Sequence, residues 1–399
     1  MFRSLSGRAE TAMQARILAM LRDEGTHSRV DLAHRLDVSR TTIATEVARL
    51  SELGLAREAG QAASRGGRRS TMVDLVPDIR FVGIAIGATG MSVGVTDGRL
   101  KVLGQRQRTI DIRHGPETVL ATALQEVRLL LKDLDVAHVF GCGVGVPGPV
   151  DFHRGVPVSP PIMPGWDRFP VRDVVSRELG CPAELDNDVN VMAAGEQHSG
   201  AASTVKDFLF VKLSTGIGCG IVVDGRIYRG MDGCAGDIGH IRIDDFGPSC
   251  ACGNTGCLEA YAGAAALIRD ATSLARSGQS EELAAIFARQ GSLGLEDLAT
   301  AVSKGDPHAA LLIKDAGRHI GHVLASLVSF FNPGLIVLGG RLTGVGHGIL
   351  SEIRGVTYRR SLPLATANLP IALSELGENA GVVGAARIIS DSVYAPTLS

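Results

Sequence analysis

Residues 207–225 read DFLFVKLSTGIGCGIVVDG, in which a glycine-rich turn separates two apolar runs. Short apolar runs bounded by turn residues are typical of buried β-strands. Residues 79–97, IRFVGIAIGATGMSVGVTD, repeat this strand–turn–strand design. Further buried strands are predicted within residues 139–151 and 331–344. Two units of like design predict an internally duplicated α/β fold, in which a nucleotide would lie between two lobes and meet one phosphate loop from each.

The composition is that of an ordinary globular chain. Its 399 residues predict two or three domains. The 50 glycines follow no three-residue period, which excludes a collagen-like protein. The N-terminal residues lack the apolar core of a secretion signal, and no apolar run is long enough to span a bilayer. We therefore expect a cytoplasmic protein with no membrane partner.

Charge is distributed unevenly along the chain. Residues 1–70 hold 12 arginines, no lysine and 8 acidic residues, whereas the whole chain has a net charge of −2. A small basic head on an acidic body predicts that the head alone contacts nucleic acid.

The head carries the pattern of a helix-turn-helix. Apolar residues at helical spacing predict a helix within residues 11–24. Ser28 and Asp31 form a capping box that opens a short second helix, and Ser39 can cap a third helix that runs to about Leu53. Residues near the start of such a third helix contact base edges in the major groove. The residues predicted to do so here are Arg40, Thr41, Thr42 and Thr45.

A glycine- and arginine-rich segment, SRGGRRS at residues 64–70, lies between two predicted strands. This arrangement is typical of a wing, whose arginines Arg65, Arg68 and Arg69 would contact phosphates or a minor groove. The alternative is a three-helix protein-interaction module with a solvated loop, but the basic tip and the positive charge favour DNA. Residues 1–76 are therefore predicted to form a winged helix-turn-helix DNA-binding domain.

A cluster of cysteines follows a histidine in the second half of the chain. The ligand set of one imidazole and three thiolates suits a closed, tetrahedral structural zinc site with no open position for hydrolysis. The four residues are His240, Cys250, Cys252 and Cys257. The alternative is a group of buried residues without a metal.

Several motifs together make the body resemble the ROK family of sugar kinases and transcriptional repressors. These are GVGVPGPVD (143–151), PGW (164–166), LDNDVN (185–190), LSTGIGCGI (213–221), AGDIGH with CACGNTGCLEAY (235–261) and FNPGLIVLGG (331–340). The resemblance implies a two-lobe actin-like ATPase (ribonuclease H-like) sugar-kinase fold after the winged helix-turn-helix. It also implies zinc at the four positions named above and a homodimer or homotetramer.

The resemblance also implies domain boundaries and a sugar site. The smaller α/β lobe would comprise residues 79–187 plus about 380–395, and the larger lobe, with the zinc site, residues 188–379. Asp188 matches the aspartate that deprotonates the sugar hydroxyl in the kinases. The full set of sugar contacts carried over is Asn187, Asp188, Asp237, His240 and Glu259. An Asn-Asp pair by itself is more typical of a turn than of a sugar site.

The chain departs from the kinase pattern at four positions. Ala85 replaces the phosphate-loop aspartate and Gly90 replaces its lysine, and phosphoryl transfer depends on such charged groups. Ile162 replaces a sugar-binding asparagine, and Asp237 is one methylene shorter than the family's glutamate. We therefore expect Asp188 to be a vestigial base, no enzyme activity and no ATP cofactor.

These features predict a DNA-binding transcriptional repressor of carbohydrate metabolism. Its partners would be a double-stranded DNA operator and a carbohydrate effector bound in a degenerate sugar-kinase domain. Two alternatives stay open at this point: an active ATP-dependent sugar kinase with a DNA-binding domain, and a DNA-binding regulator that responds to no ligand.

Overall fold

The computed structural model describes residues 8–61 and 70–396. They divide into two compact units, the first formed by residues up to His198 and from Gly381 onward, and the second by Ser199–Ala380. The predicted mixed α/β class is confirmed, with a helix-turn-helix before two sheets of five strands. No helix within the described ranges is both long and apolar enough to cross a membrane.

The head belongs to the first unit. Its elements are α1 (Ala12–Asp23), β1 (His27–Ser28), α2 (Arg29–Leu36), α3 (Arg40–Glu52), β2 (Ala56–Gln61) and β3 (Thr71–Leu75). The predicted capping box is present, because the Ser28 hydroxyl accepts from the Asp31 amide and the Asp31 carboxylate accepts from the Ser28 amide. Ser39 caps α3 by accepting from the Thr42 amide at 3.0 Å. The strands pair antiparallel in the order β1-β3-β2.

The rest of the first unit is built on a five-stranded sheet. Its elements are β4 (Arg80–Ile86), β5 (Gly90–Asp97), β6 (Val102–Thr109), α4 (Pro116–Asp133), β7 (Gly141–Val146), β8 (Val150–Asp151), β9 (Val156–Pro157), α5 (Val171–Leu179), β10 (Ala183–Asn187) and α6 (Asp188–Ser199). The strand order is β10-β7-β4-β5-β6. The first strand, β4, pairs antiparallel with β5 and parallel with β7. Helices α4 and α5 bury their apolar faces in the core of this sheet.

The second unit repeats this topology. Its elements, followed by the C-terminal helix, are β11 (Phe208–Leu213), β12 (Ile217–Val223), β13 (Arg226–Tyr228), α7 (Leu258–Ala262), α8 (Ala264–Arg276), α9 (Glu281–Gln290), α10 (Leu295–Ser303), α11 (Pro307–Phe331), β14 (Leu335–Gly339), α12 (His347–Arg360), α13 (Pro363–Thr366), β15 (Ile371–Leu373) and α14 (Asn379–Tyr394). The order β13-β12-β11-β14-β15 matches the first sheet strand for strand. Strand β11 takes the place of β4, with the same antiparallel and parallel neighbours. The sheet order thus agrees with the internal duplication expected from the two strand–turn–strand motifs.

Candidate functional site

The N-terminal end of α3 presents polar side chains to solvent. Arg40, Thr41, Thr42 and Thr45 are exposed, whereas the opposite face of the helix is buried in the core of the head. The Thr42 hydroxyl lies 2.8 Å from the Ser39 hydroxyl, and the Thr45 hydroxyl donates to the Thr41 carbonyl at 3.1 Å. The helix therefore offers one cationic and several hydroxyl groups where recognition helices meet base edges.

Strands β2 and β3 form the antiparallel pair expected of a wing. The predicted tip arginines Arg65, Arg68 and Arg69 lie outside the described residues. Their contacts with phosphate or a minor groove stay a prediction.

The predicted metal ligands lie together in the second unit. One ligand atom from each of His240, Cys250, Cys252 and Cys257 lies within 4.8 Å of all the others. The Cys250 Sγ is 3.5 Å from His240 Nδ1, and the Cys252 Sγ is 3.7 Å from the Cys257 Sγ. These four residues could hold a metal ion, and their chemistry is that of a structural site.

The cysteine loop is folded tightly by its own backbone. The Gly253 amide donates to the Cys250 carbonyl at 3.0 Å, and the Cys250 amide donates to the Asn254 carbonyl at 2.8 Å. At Gly256, φ is +71° and an added Cβ would lie 1.6 Å from the Asp244 carbonyl oxygen. Only glycine fits there, so the loop can bring Cys257 back toward Cys250 and Cys252.

Three predicted sugar contacts lie beside the metal cluster. His240 turns Nδ1 toward the Cys250 Sγ, while its Nε2 lies 3.9 Å from the Asp237 carboxylate. The Glu259 carboxylate accepts from the Ile217 amide at 3.1 Å, at the turn between β11 and β12. Burial raises the pKa of Glu259. A metal ion bound at His240 Nδ1 would fix the orientation of the imidazole ring. The ring's Nε2 would then stay beside the Asp237 carboxylate.

The other two predicted contacts lie in the first unit, where β10 passes into α6. The Asn187 side-chain amide donates to the Gly148 carbonyl at 2.7 Å, and its oxygen accepts from the Val189 amide at 2.9 Å. Asn187 thus joins the motif around Gly148 to the start of α6. Asp188 is the first residue of that helix and is 7% exposed. The pair therefore has the local hydrogen bonding of a helix start.

Two of the departures from the kinase pattern have a clear structural setting. The Ala85 methyl on β4 points at Gly381, where an added Cβ would lie 2.6 Å away. Ile162 is half-buried against the apolar core of the first sheet. The neighbouring Trp166 is fully buried and donates to the Ile112 carbonyl at 3.1 Å, so the PGW motif has a packing role.

Sequence reasoning missed the residues that join the head to the body. Arg22 on α1 donates to the carboxylate of Asp391 on α14 at 2.6 Å. These residues are 369 positions apart, and neither lies in a motif with a chemical signature. No local pattern could have indicated this pair.

Comparison with known proteins identifies the family of this chain. Residues 81–392 match the model of the ROK family, and residues 14–59 match a helix-turn-helix domain model. The chain belongs to the ROK family. The family model spans both five-stranded sheets, so the predicted resemblance is confirmed over the whole body.

Relatives within the ROK family include repressors and kinases. The xylose repressor of Caldicellulosiruptor bescii is 27% identical over 384 residues, covering 95% of this chain and 96% of the repressor. The glucokinase of Halalkalibacterium halodurans is 30% identical over 313 residues, covering 77% of this chain and 94% of the kinase. The crystal structure of a ROK family transcriptional regulator, a homologue of the E. coli MLC protein, superposes with a TM-score of 0.81 at 25% identity and 96% coverage of both chains.

Proposed function

We propose that this ROK protein is a DNA-binding transcriptional repressor controlled by a carbohydrate or sugar derivative. The observation that carries the proposal is the coverage of its relatives. The xylose repressor aligns with nearly the whole chain, head included, whereas the glucokinase aligns with 77% of it. A helix-turn-helix before a sugar-kinase fold joins a DNA-binding domain to a domain that can bind sugar. Footprinting of the purified protein on genomic DNA would identify its operator and the pathway that it controls.

The body is proposed to bind sugar without transferring phosphate. Ala85 and Gly90 stand where the kinases carry a carboxylate and a lysine, and these charges position and neutralise the phosphates. The alternative, an active sugar kinase with a DNA-binding head, is supported by Asp188 and by the glucokinase relatives. A coupled ATP-turnover assay with D-glucose and D-xylose separates the two, because a kinase would consume ATP only when sugar is present.

Five side chains are proposed to contact the sugar. Asn187 and Asp188 supply an amide and a carboxylate, and two further carboxylates and an imidazole come from Asp237, Glu259 and His240. Amide, imidazole and carboxylate groups pair well with the donors and acceptors of sugar hydroxyls. This assignment rests on the ROK motifs that these residues match.

We also propose that the metal is a structural Zn²⁺. The donor set of three thiolates and one imidazole is typical of a closed zinc site, and the close approach of the four ligand atoms fits it. When bound, the ion would pin the cysteine loop and orient His240. No open coordination position is expected, so the ion is assigned no part in hydrolysis.

The active form is proposed to be a cytoplasmic homodimer or homotetramer. Helix-turn-helix proteins commonly bind two half-sites about one DNA turn apart. A second copy of the chain would supply the second recognition helix, and light scattering of the protein alone and on its operator would give the number of copies. No membrane partner is proposed.

Changing Arg40 to alanine tests the DNA-binding surface. We expect Arg40→Ala to weaken operator binding by about 1–3 kcal/mol and to relax sequence preference, because an arginine at this position can contact a base. Arg49→Ala is the matched control, since Arg49 is exposed at the other end of the same helix. Fluorescence anisotropy on operator and scrambled DNA measures both effects. Equal losses for the two variants would contradict the assignment of this helix end.

A further inference from the structure

The head shares a hydrophobic core with the C-terminal helix of the body. Side chains of α1 and of α14 are buried in one cluster, and the contributing residues are Ile17, Leu18 and Leu21 from α1 and Ala386, Ile389, Val393 and Tyr394 from α14. All of them belong to the first unit. The head is therefore packed against the body, and a displacement of α14 would also displace α1.

A cluster of charges lies at the edge of this shared core. Arg22 is 3% exposed and donates to Asp391 at 2.6 Å and to the Ser390 hydroxyl at 2.7 Å. Its neighbour Asp23 accepts from Arg387 of α14 at 3.2 Å. Although burial opposes it, hydrogen bonds from His198 and Arg22 hold the pKa of Asp23 below its usual range. Asp23 is therefore charged at the point where the head meets the body.

His198 lies at the meeting point of three segments. Its Nδ1 is 3.2 Å from the Arg387 guanidinium and 3.5 Å from the Asp23 carboxylate, and its Nε2 is 3.1 Å from the Arg99 carbonyl oxygen. Nε2 can donate to the Arg99 carbonyl, which only accepts, while Nδ1 faces both the Asp23 carboxylate, which accepts, and the Arg387 guanidinium, which donates. Arg99 in turn donates to Asp74 of the head at 2.6 Å. One imidazole thus contacts the head directly and through Arg99.

The same histidine lies near the end of the helix that begins at the proposed sugar site. Helix α6 runs from Asp188 to Ser199, a length of about 18 Å at 1.5 Å per residue. Most of its first turns are buried, and Asn187 fixes its start. The helix runs without a break from Asp188 to Ser199, so we expect a shift at Asp188 to be transmitted to His198.

Helices α6 and α14 also touch through their backbones. A Cβ added at Gly384 would lie 1.6 Å from the Val191 carbonyl oxygen and 2.8 Å from the Gly195 amide nitrogen. The two backbones are in close contact at this crossing, so we expect a displacement of α6 to displace α14 as well. We therefore expect movement of α6 to reach α1 by two adjacent routes, through His198 and through α14.

We propose that His198 is a positioning residue that couples the sugar site to the DNA-binding head. It passes displacement of α6 to Asp23 of α1 and, through Arg387, to α14. This inference rests on the proposed function, because it assigns the path by which the bound carbohydrate changes operator affinity. A sugar changes operator affinity only if it binds two arrangements of the head and body with unequal affinity. In this proposal the two arrangements differ at the contacts of His198.

The test compares full-length wild type, His198→Ala and the milder His198→Gln, which keeps an N–H donor for the Arg99 carbonyl. His308→Ala is the matched control, because His308 is an exposed histidine of the second unit. Operator affinity is measured with and without saturating D-xylose, D-glucose or N-acetyl-D-glucosamine, and sugar affinity is measured without DNA. The decisive quantity is the ratio of the two operator affinities, which a merely structural role would leave unchanged.

We expect the wild-type ratio to fall within the typical range of about 5–150-fold. His198→Ala should bring the ratio to within about two-fold of one, His198→Gln should give an intermediate ratio, and His308→Ala should match wild type. Binding of sugar and of operator should persist in every variant, because Arg22 and the shared core still hold the head. An unchanged ratio in both His198 variants would overturn the inference and leave the proposed function intact. A wild-type ratio of one with every sugar would overturn both.

Discussion

Cys252→Ser is expected to lose most of the bound zinc and to destabilise the second unit strongly. Structural zinc contributes folding free energy directly, because the ligands of the unfolded chain do not form a preassembled site. Apparent binding energies of such sites are about 10–16 kcal/mol, so weakening one of four ligands removes a large part of the stability of the loop. The Cys252 Sγ lies 3.7 Å from the Cys257 Sγ, so serine would replace one of the four clustered ligand atoms with a poorer ligand.

Elemental analysis and thermal unfolding followed by circular dichroism measure this effect. Wild type should carry about one zinc per chain, as expected for one four-ligand site. Cys234→Ser is the matched control, because Cys234 is an exposed cysteine outside the cluster, and it should retain zinc and stability. A folded, reduced wild-type protein that contains no metal would refute the zinc assignment.

Arg22→Ala is expected to have the second large effect, on the attachment of the head. The substitution removes the donor to Asp391 and to the buried Ser390 hydroxyl, and it removes a guanidinium that lies 5.7 Å from the centre of the Tyr394 ring. Breaking a fully buried ion pair costs about 3–5 kcal/mol. Because the Asp391 side chain is 53% exposed, we expect a smaller loss, about 2–4 kcal/mol in the stability of the first unit.

Urea unfolding monitored by tryptophan fluorescence measures this loss. Trp166 is the single tryptophan of the chain and is fully buried in the first unit, so its emission reports on the unit that contains Arg22. Arg16→Ala is the control on the same helix, because Arg16 is exposed, and it should change stability by no more than about 0.5 kcal/mol. If the two variants unfold at the same urea concentration, the contacts of Arg22 add nothing to the docking of the head.

Features encoded within a short stretch of sequence could be predicted. The capping box of Ser28 and Asp31 and the cluster of four candidate metal ligands each depend on residues near one another in the chain. Apolar runs bounded by turn residues likewise predicted the paired strands that became β4, β5, β11 and β12. The order of strands within each sheet depends on pairing between distant segments, so only the structure gives it.

Contacts between distant residues could not be predicted. The sequence around Arg22 shows an ordinary amphipathic helix, and nothing in it identifies Asp391 or Arg387 as partners. Asn187 could be interpreted as a turn residue or as a sugar contact, and the structure gives it hydrogen bonds that fix the start of α6. His198 belongs to no motif, and its position between α1 and α14 is a product of tertiary packing alone.

Titration of operator DNA with the protein, in the presence of a broad panel of monosaccharides and without ATP, tests the central claim most directly. Wild type and Asp188→Asn are compared, because Asp188 is the predicted sugar contact at the start of α6 and is remote in sequence from the recognition helix. At least one sugar should change wild-type affinity by about 5–150-fold, while Asp188→Asn should keep its sugar-free affinity and respond weakly. If no sugar alters the wild-type affinity, or if sugar drives rapid ATP turnover despite Ala85, the protein is not a carbohydrate-responsive repressor of the kind proposed.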